Sequence, residues 1–303
     1  MSTRVYFEEY GGPQVLKVGT EQLAEPGVGL VRVEFRAVSV NPVDWKLVAG
    51  YLKKWTPLDF PAVPGCEAAG VVTAVGPAFE GFAVGDEVIW NGLMGGYRTE
   101  AVVPADQLTP LPAGVDFEQA ACIPVAGGTA YSALKQLAVG AGDTVLIHGA
   151  AGGVGSAAVQ IAQAFGARVI GTASEANLEY LSELGAEPVT YGGGLAERVR
   201  SVADDGAVTA VLDTVGSEDS LAATAELLQG AGRAVTTVPG EQSAAAGLVA
   251  VQQLEGRAAE AGTLAAEGQI TFTIAHRMPL IEAADALEIS RGGHGRGKIL
   301  LLP

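Results

Sequence analysis

Two cysteines in 303 residues, Cys66 and Cys122, are too few for a disulfide scaffold or a four-cysteine zinc site. They fit a reducing compartment, and a cytoplasmic protein is expected. Charge is scarce and lopsided: charged residues make up 17%, with 18 Lys and Arg against 34 Asp and Glu, for a net charge of −16. Such a surface repels polyanions, so neither nucleic acid nor an anionic membrane is an expected partner. An anionic ligand would have to be held by local backbone dipoles. No segment reaches the ~18 uninterrupted apolar residues of a membrane span. The opening stretch, MSTRVYFEEYGGP, lacks the apolar run of a secretion signal. Starting at Met1 with no visible tag, the chain reads as native and full-length. No internal repeat is evident.

Apolar residues (49%) and glycine (42 residues) are abundant. This is globular composition, and the length predicts two domains. Residues 1–115 read as an all-β unit. LVRVEFRAVSV (30–40) alternates apolar and polar over its first half, AAGVVTAVG (68–76) and GDEVIW (85–90) are further strands, and residues 95–108 continue in the same style. From about 116 the chain becomes Ala-rich and helical in spacing, and apolar strands then alternate with amphipathic helices to residue 262. That rhythm predicts a parallel sheet covered on both faces. Residues 240–247, GEQSAAAG, read as a low-complexity loop. Residues 263–303 return to short strands around one helix, IEAADALEIS. The expected class is α/β, with a β-domain beside a doubly wound parallel sheet.

One stretch concentrates the glycines. DTVLIHG (143–149) is an apolar strand, AAGGVG (150–155) a tight turn, and SAAVQIAQAFGA the start of a helix. This is the dinucleotide-binding arrangement, with Ala150 at the first glycine of G-x-G-x-x-G. Gly152 lets the backbone approach a pyrophosphate, and a positive φ there would add to the need for glycine. Gly155 lets helix and strand pack closely. The helix N-terminus then offers free N–H groups and a partial positive charge to phosphates. NAD sites place an acid at the end of the next strand, on the ribose 2′-hydroxyl. Here ARVIGTAS ends in Thr172-Ala173-Ser174, and Glu175 comes too late. That favours NADPH, although no Lys or Arg follows before Arg198. Ser174, Asn177 and Tyr191 are the polar groups available to a 2′-phosphate.

At this point the chain resembles the medium-chain dehydrogenase/reductase superfamily, in its zinc-independent quinone oxidoreductase branch. The matching stretches run through nearly the whole chain in the family's order. They include EYGGPQVLKV, SVNPVDWKLVAGY, FPAVPGCEAAGVVTAVG, FAVGDEVI, GGYRTEAVVPADQL, GGTAYSAL, the dinucleotide turn, LGAEPVTY, VLDTVG and RGKILLLP. The resemblance implies a GroES-like β-domain (1–118), a Rossmann domain (119–262) and a return to the first domain (263–303), with the active site between the two domains. It also implies a homodimer built on Rossmann edge strands, for which GLVAVQQ (247–253) is the candidate. Cofactor contacts follow on Ala150, Gly152, Gly153, Val154 and Gly155. Further contacts are expected on Val215, Gly216, Val238 and Lys298. Lys298 has two readings, one as a residue that positions cofactor or closes the cleft and one as a surface lysine.

The superfamily's zinc enzymes hold the metal with Cys, His and Cys. Those positions match Asn41, Cys66 and Val125 here, one soft ligand where three or four are needed. No metal site is expected. Glu67 then reads as a structural hydrogen-bond partner and Cys66 as a buried, inert thiol. Without a metal to acidify a hydroxyl, alcohol oxidation is the poorer reading. A quinone or α,β-unsaturated carbonyl takes hydride at carbon, and its charge moves to an oxygen that hydrogen-bond donors hold. By resemblance, Asn41, Tyr51 and Thr129 line that pocket. Tyr51 is the expected donor, or else an aromatic wall. Asp44 reads as a loop anchor, and Trp45, Trp55 and Trp90 as pocket walls or core. His148, His276 and His294 sit apart, and His148 reads as a packed core residue. Two alternatives remain, an enoyl reductase on a specialised substrate and a non-catalytic nucleotide-binding protein.

Overall fold

In LVRVEFRAVSV, the alternate residues Val31, Val33 and Phe35 are buried, and burial becomes continuous from Ala37 to Val40. A strand that is half-buried at one end and fully buried at the other sits at the centre of its sheet, as this one does. The computed structural model describes residues 1–203, 208–230, 232–293 and 295–303, so His294 lies outside the described residues. The chain forms two compact units, residues 1–125 with 273–303, and residues 126–272.

The first unit begins with a hairpin-like pair, β1 (Ser2–Tyr6) and β2 (Lys17–Glu21). Then come β3 (Leu30–Val40), α1 (Pro42–Val48), β4 (Glu67–Val75), β5 (Glu87–Asn91), β6 (Glu100–Pro104), β7 (Leu108–Pro110) and α2 (Phe117–Ala120). β3 pairs antiparallel with both β4 and β6, while β5 joins β4 to β7.

The second unit starts with α3 (Gly128–Gln136), followed by β8 (Thr144–His148), α4 (Gly153–Ala164), β9 (Arg168–Ala173), α5 (Leu178–Glu183) and β10 (Glu187–Thr190). It continues with α6 (Leu195–Val202), β11 (Ala210–Asp213), α7 (Glu218–Leu228), β12 (Arg233–Thr236), α8 (Glu241–Ala245), β13 (Val249–Ala250) and α9 (Arg257–Ala266). Its six strands are all parallel, in the order β10-β9-β8-β11-β12-β13. This is the doubly wound dinucleotide order, whose direction reverses between β8 and β11. The segment GLVAVQQ contributes β13, the edge strand.

The chain then returns to the first unit as β14 (Ile274–Pro279), α10 (Ala283–Gly292) and β15 (Lys298–Leu302), with β15 antiparallel to β3. No helix among the described residues is long and apolar enough to cross a membrane.

Three details differ from the sequence reading. GEQSAAAG is no loop: α8 forms there, capped by a bond from the Gly240 N–H to the Ser243 hydroxyl at 2.9 Å. The first boundary falls at 125/126 rather than 118/119, because α2 packs on β3 and β4. The second falls at 272/273 rather than 262/263, because α9 packs on α3.

The turn from β8 into α4 shows how tightly this fold holds its glycines. A Cβ on Gly155 would press into the Gly149 carbonyl and lie 2.7 Å from the Ala150 Cα, both backbone. Gly155→Ala is expected to lower stability by about 1–3 kcal/mol, the cost of overpacking a close backbone contact. The check is a lower midpoint in urea unfolding at unchanged slope.

Candidate functional site

At the end of β8 the backbone turns left-handed at Gly149, where φ is +71°. A Cβ there would meet the Thr214 hydroxyl at 2.5 Å and Val215 at 2.7 Å. Gly152, in contrast, is extended, with φ −74° and ψ 175°. The expected positive φ therefore belongs to Gly149, which the motif reading passed over. A Cβ on Gly152 would touch only the Gly149 oxygen, at 3.4 Å, so the fold itself does not require glycine there. The empty space beside it is what a ligand would fill. α4 starts with no side-chain cap and no acid in its first turn. The N–H groups of Gly153, Val154 and Gly155 have no intrahelical acceptors, and the dipole's positive end is uncompensated. This is an anion site built from backbone, and it fits a diphosphate. Ala150 lies buried under the turn.

The next two strand ends hold the second group. β9 ends at the buried Ala173, followed by Ser174, whose hydroxyl accepts from Asn177 Nδ2 at 3.1 Å. The Tyr191 N–H bonds the Ala173 oxygen at 3.3 Å, which brings Tyr191 beside them with its ring half-exposed. No acid stands at Ala173 or Ser174 at the end of β9, and Glu175 follows them.

Across the switch point, Asp213 at the end of β11 organises the third group. Its wholly buried carboxylate accepts from the N–H of Val215 at 3.0 Å and of Gly216 at 3.0 and 3.1 Å. Gly216 is left-handed, φ +67°, and a Cβ there would lie 2.9 Å from Val238. The structure thus gathers Val215, Gly216 and Val238. The sequence reading missed Asp213, although an acid closing a buried strand three residues before a glycine was its signal. His148 is the packed core residue expected, with ring nitrogens 3.3 Å and 3.2 Å from the Thr172 and Thr224 hydroxyls. Burial lowers its pKa to about 4, so it is neutral.

Thr129 also lies in this unit, at the start of α3. Its hydroxyl accepts from Gln253 Nε2 at 3.3 Å, which leaves the Thr129 O–H proton to be donated elsewhere.

In the first unit, a polar network surrounds Glu67. Its Oε1 accepts from Asn41 Nδ2 at 2.8 Å and from the Lys298 ammonium at 3.1 Å. Its Oε2 accepts from the Val125 N–H at 2.8 Å. Lys298 also donates to Asn41 Oδ1 at 2.7 Å. Lys298 is therefore no surface lysine, with a side chain only 5% exposed. Burial pulls its pKa down, but the Glu67 carboxylate more than offsets this and the net shift is upward. Asn41 is not a free donor either. Its amide serves Glu67, the Ser39 carbonyl at 3.3 Å and the Cys66 sulfur at 3.6 Å.

The three positions that match zinc ligands thus converge, but on an amide, a thiol and a backbone N–H beside a fixed ammonium. That donor set does not fit zinc. Among the described residues no group of three His, Cys, Asp or Glu side chains is placed to hold a metal. Burial raises the Cys66 thiol well above its usual range, which leaves it an unreactive thiol.

Tyr51 is 66% exposed and lies edge-on to Trp45, with centroids 5.7 Å apart, so its hydroxyl is accessible. Trp55 is exposed and Trp45 packs on the core. Trp90 is core rather than pocket wall: it is buried against Phe35, and its Nε1–H bonds Gln107 at 2.9 Å.

Asp44 anchors the α1 loop, with Oδ2 accepting from the Asn41 N–H at 2.8 Å and the Tyr97 hydroxyl at 3.0 Å. Its Oδ1 is buried without a partner. Burial raises its pKa to about 7, against about 4 unfolded. Between those values the folded state holds a proton that the unfolded state has lost, so stability falls as pH rises through that window. Asp44→Asn removes this slope. The variant is expected to be more stable than wild type at pH 8 and nearly equal at pH 4, as thermal unfolding across that range would reveal.

Comparison with known proteins agrees with this geometry. Residues 27–113 match the alcohol dehydrogenase GroES-like domain family, and residues 153–263 the zinc-binding dehydrogenase family. A quinone oxidoreductase of Pseudomonas aeruginosa is 39% identical over 72% of this chain and 68% of its own. One from Salmonella typhimurium is 36% identical over 78% and 72%. Among solved structures, the Coxiella burnetii quinone oxidoreductase superposes with a TM-score of 0.86 at 28% identity, covering 100% of this chain and 99% of that one. A mycobacterial protein complexed with NADPH gives 0.85 at 29% identity over 100% of both chains. An NAD-dependent alcohol dehydrogenase gives 0.89 at 30% over 99% of both. A GroES-like β-unit joined to a doubly wound dinucleotide unit, with relatives at this level along most of its length, makes this chain a member of the quinone oxidoreductases of the medium-chain dehydrogenase/reductase superfamily.

Proposed function

We propose that the protein transfers hydride from NADPH to a carbon of a quinone or α,β-unsaturated carbonyl, without a metal. The observation that carries the cofactor half is the acid-free Ala173–Ser174 end of β9, where Ser174 bonds Asn177 and the Tyr191 N–H bonds Ala173, together with the uncapped start of α4. Bound NADPH supplies the hydride. The N–H groups of Gly153, Val154 and Gly155 hold its diphosphate, and Gly152 keeps space for it. Asp213 fixes the turn through which Val215 and Gly216, with Val238, bound the nicotinamide. Tyr51 is assigned as donor to the acceptor oxygen, and Thr129 as a lining residue with a proton to give. Asn41, committed to Lys298 and Glu67, lines the pocket without donating.

Zinc independence is supported by the ammonium of Lys298 beside the matched ligand positions, since a fixed positive charge opposes a metal cation. The acceptor follows from the same point. An oxyanion formed by hydride addition to a conjugated carbonyl needs hydrogen-bond donors, whereas an alcohol needs acidifying. The free edge of β13 supports a homodimer, and two buried unpaired cysteines support the cytoplasm.

Gly152→Val is expected to abolish NADPH binding in calorimetric titration while the unfolding midpoint stays near wild type, because its side chain fills ligand space rather than protein space. Unchanged affinity would remove this turn from the site.

The decisive experiment follows NADPH and NADH absorbance against a panel of quinones, 2-alkenals and enoyl thioesters, in wild type and Ala173→Asp. Quinones or alkenals are expected to be reduced, with NADPH preferred roughly 5- to 150-fold, the range of two or three hydrogen bonds to a charged group. Ala173→Asp is expected to reverse the preference, because a carboxylate repels the phosphate and accepts from the 2′-hydroxyl. Preference for NADH in wild type would refute the cofactor assignment. Turnover of enoyl thioesters alone would refute the acceptor.

A further inference from the structure

The groups assigned to a 2′-phosphate, Ser174, Asn177 and Tyr191, are all neutral. A phosphate carries about −1.5 to −2 charges near pH 7, and this chain's net charge is −16. Hydrogen bonds alone leave that charge uncompensated, so the source of positive potential at this corner needs an account.

Most arginines of the second unit meet a carboxylate, as Arg168 does with Glu187, Arg200 with Glu226 and Arg233 with Asp143. Arg198, on α6, does not among the described residues. Its Nε and Nη2 donate to the Thr190 oxygen at 3.1 and 3.0 Å. Nη2 also donates to the Gly192 oxygen at 3.0 Å, and Nη1 to the Gly193 oxygen at 2.6 Å. These carbonyls bracket Tyr191, whose N–H is bonded to Ala173 at the end of β9. The guanidinium is satisfied by dipoles, so its full positive charge is not cancelled by a paired anion. Thr190 lies opposite Ala173 in the β10–β9 register, and neighbouring strands are about 4.8 Å apart. The charge therefore acts on the end of β9 from inside the ~10 Å Debye length at 0.1 M salt. Exposed Glu175 and Glu197 oppose it, but neither is paired with it.

We propose that Arg198 is the cation that gives this corner its preference for a 2′-phosphorylated adenosine. It is a positioning residue, acting through its field and through the turn that carries Tyr191. The fork of a guanidinium suits this role because one side chain holds three carbonyls at once. The proposal rests on the NADPH assignment and names the residue that makes it possible in a chain with no Lys or Arg between Arg168 and Arg198.

The test uses 2′,5′-ADP and 5′-ADP as probes, titrated calorimetrically into the full-length wild type, Arg198→Met and Arg198→Lys. Wild type is expected to bind 2′,5′-ADP the more tightly. Arg198→Met is expected to weaken 2′,5′-ADP about three- to tenfold, the size of one screened charge at this range, while 5′-ADP changes less than twofold. Its 2′,5′-ADP affinity is also expected to fall less steeply with added salt. Arg198→Lys, which keeps the charge and loses the fork, is expected to retain the preference in part. Equal weakening of both probes in Arg198→Met would mean that the arginine only braces the turn, and would overturn the proposal. Unchanged 2′,5′-ADP affinity would overturn it as well. Should Arg198→Met fail to fold, Arg198→Lys decides, and loss of the preference there refutes a role for charge. Equal binding of the two probes by wild type refutes the NADPH assignment itself, a result distinguishable from the others because it needs no variant.

Discussion

The buried ion pair between Lys298 and Glu67 is the interaction on which the first unit turns. Glu67 opens β4 and Lys298 opens β15, strands that flank β3 on either side. Their shared partner Asn41 is the N-cap of α1, and Glu67 also takes the Val125 N–H. One carboxylate thus ties four chain segments far apart in sequence. Desolvating two charges is expensive, and such a pair holds only where further hydrogen bonds satisfy the remaining donors and acceptors. Here both Glu67 oxygens accept, and the Lys298 amine donates to Asn41 as well as to Glu67. Removing either partner would strand a charge in the core, a loss of about 3–5 kcal/mol.

That pair also sets the chemistry of the corner where the superfamily's zinc enzymes hold their metal. The backbone positions that match zinc ligands are brought together, yet they present an amide, a high-pKa thiol and a backbone N–H. An ammonium supplies the positive charge that balances Glu67. Asp44 lies in the same polar core, bonded to Asn41 and Tyr97, and its raised pKa follows from burial with only two donors on one oxygen. The electrostatics of the region are those of a buried, hydrogen-bonded polar network, while Tyr51 is exposed.

The second unit is organised by backbone rather than by charge. Its ligand-facing features lie at the carboxyl ends of parallel strands: the uncapped start of α4 after β8, the Ala173–Ser174 end of β9 and the Asp213-held turn after β11. Each is a place where N–H groups are presented or held in a fixed geometry. In an acidic chain this is the economical way to receive an anion, since helix and turn dipoles add positive potential without changing net charge.

Much of this was legible in the sequence because it depends on local pattern. Strand–turn–helix periodicity places β8 and α4, the absence of an acid within VIGTAS, ahead of Glu175, needs no coordinates, and an amide where a zinc ligand would stand is read from one letter. The helix α8 was missed because a short Ala- and Gly-containing stretch forms a helix only when a cap stabilises it, here Ser243. Long-range encounters were not legible at all. Lys298 has two readings, a residue that positions cofactor or closes the cleft and a surface lysine, until β15 pairs with β3 and brings it to Val40, 258 positions away. Trp90 reads as pocket wall or core alike until Phe35 and Gln107 enclose it. The positive φ falls on Gly149 rather than Gly152 because φ is set by the whole turn, not by the motif. Sequence alone determined the strand–helix rhythm of the second unit and the side chains offered at the superfamily's zinc-ligand positions, since both follow from residue type and spacing. Tertiary structure decided which polar groups are already committed to one another, because hydrogen bonds between distant segments exist only after the sheets have assembled.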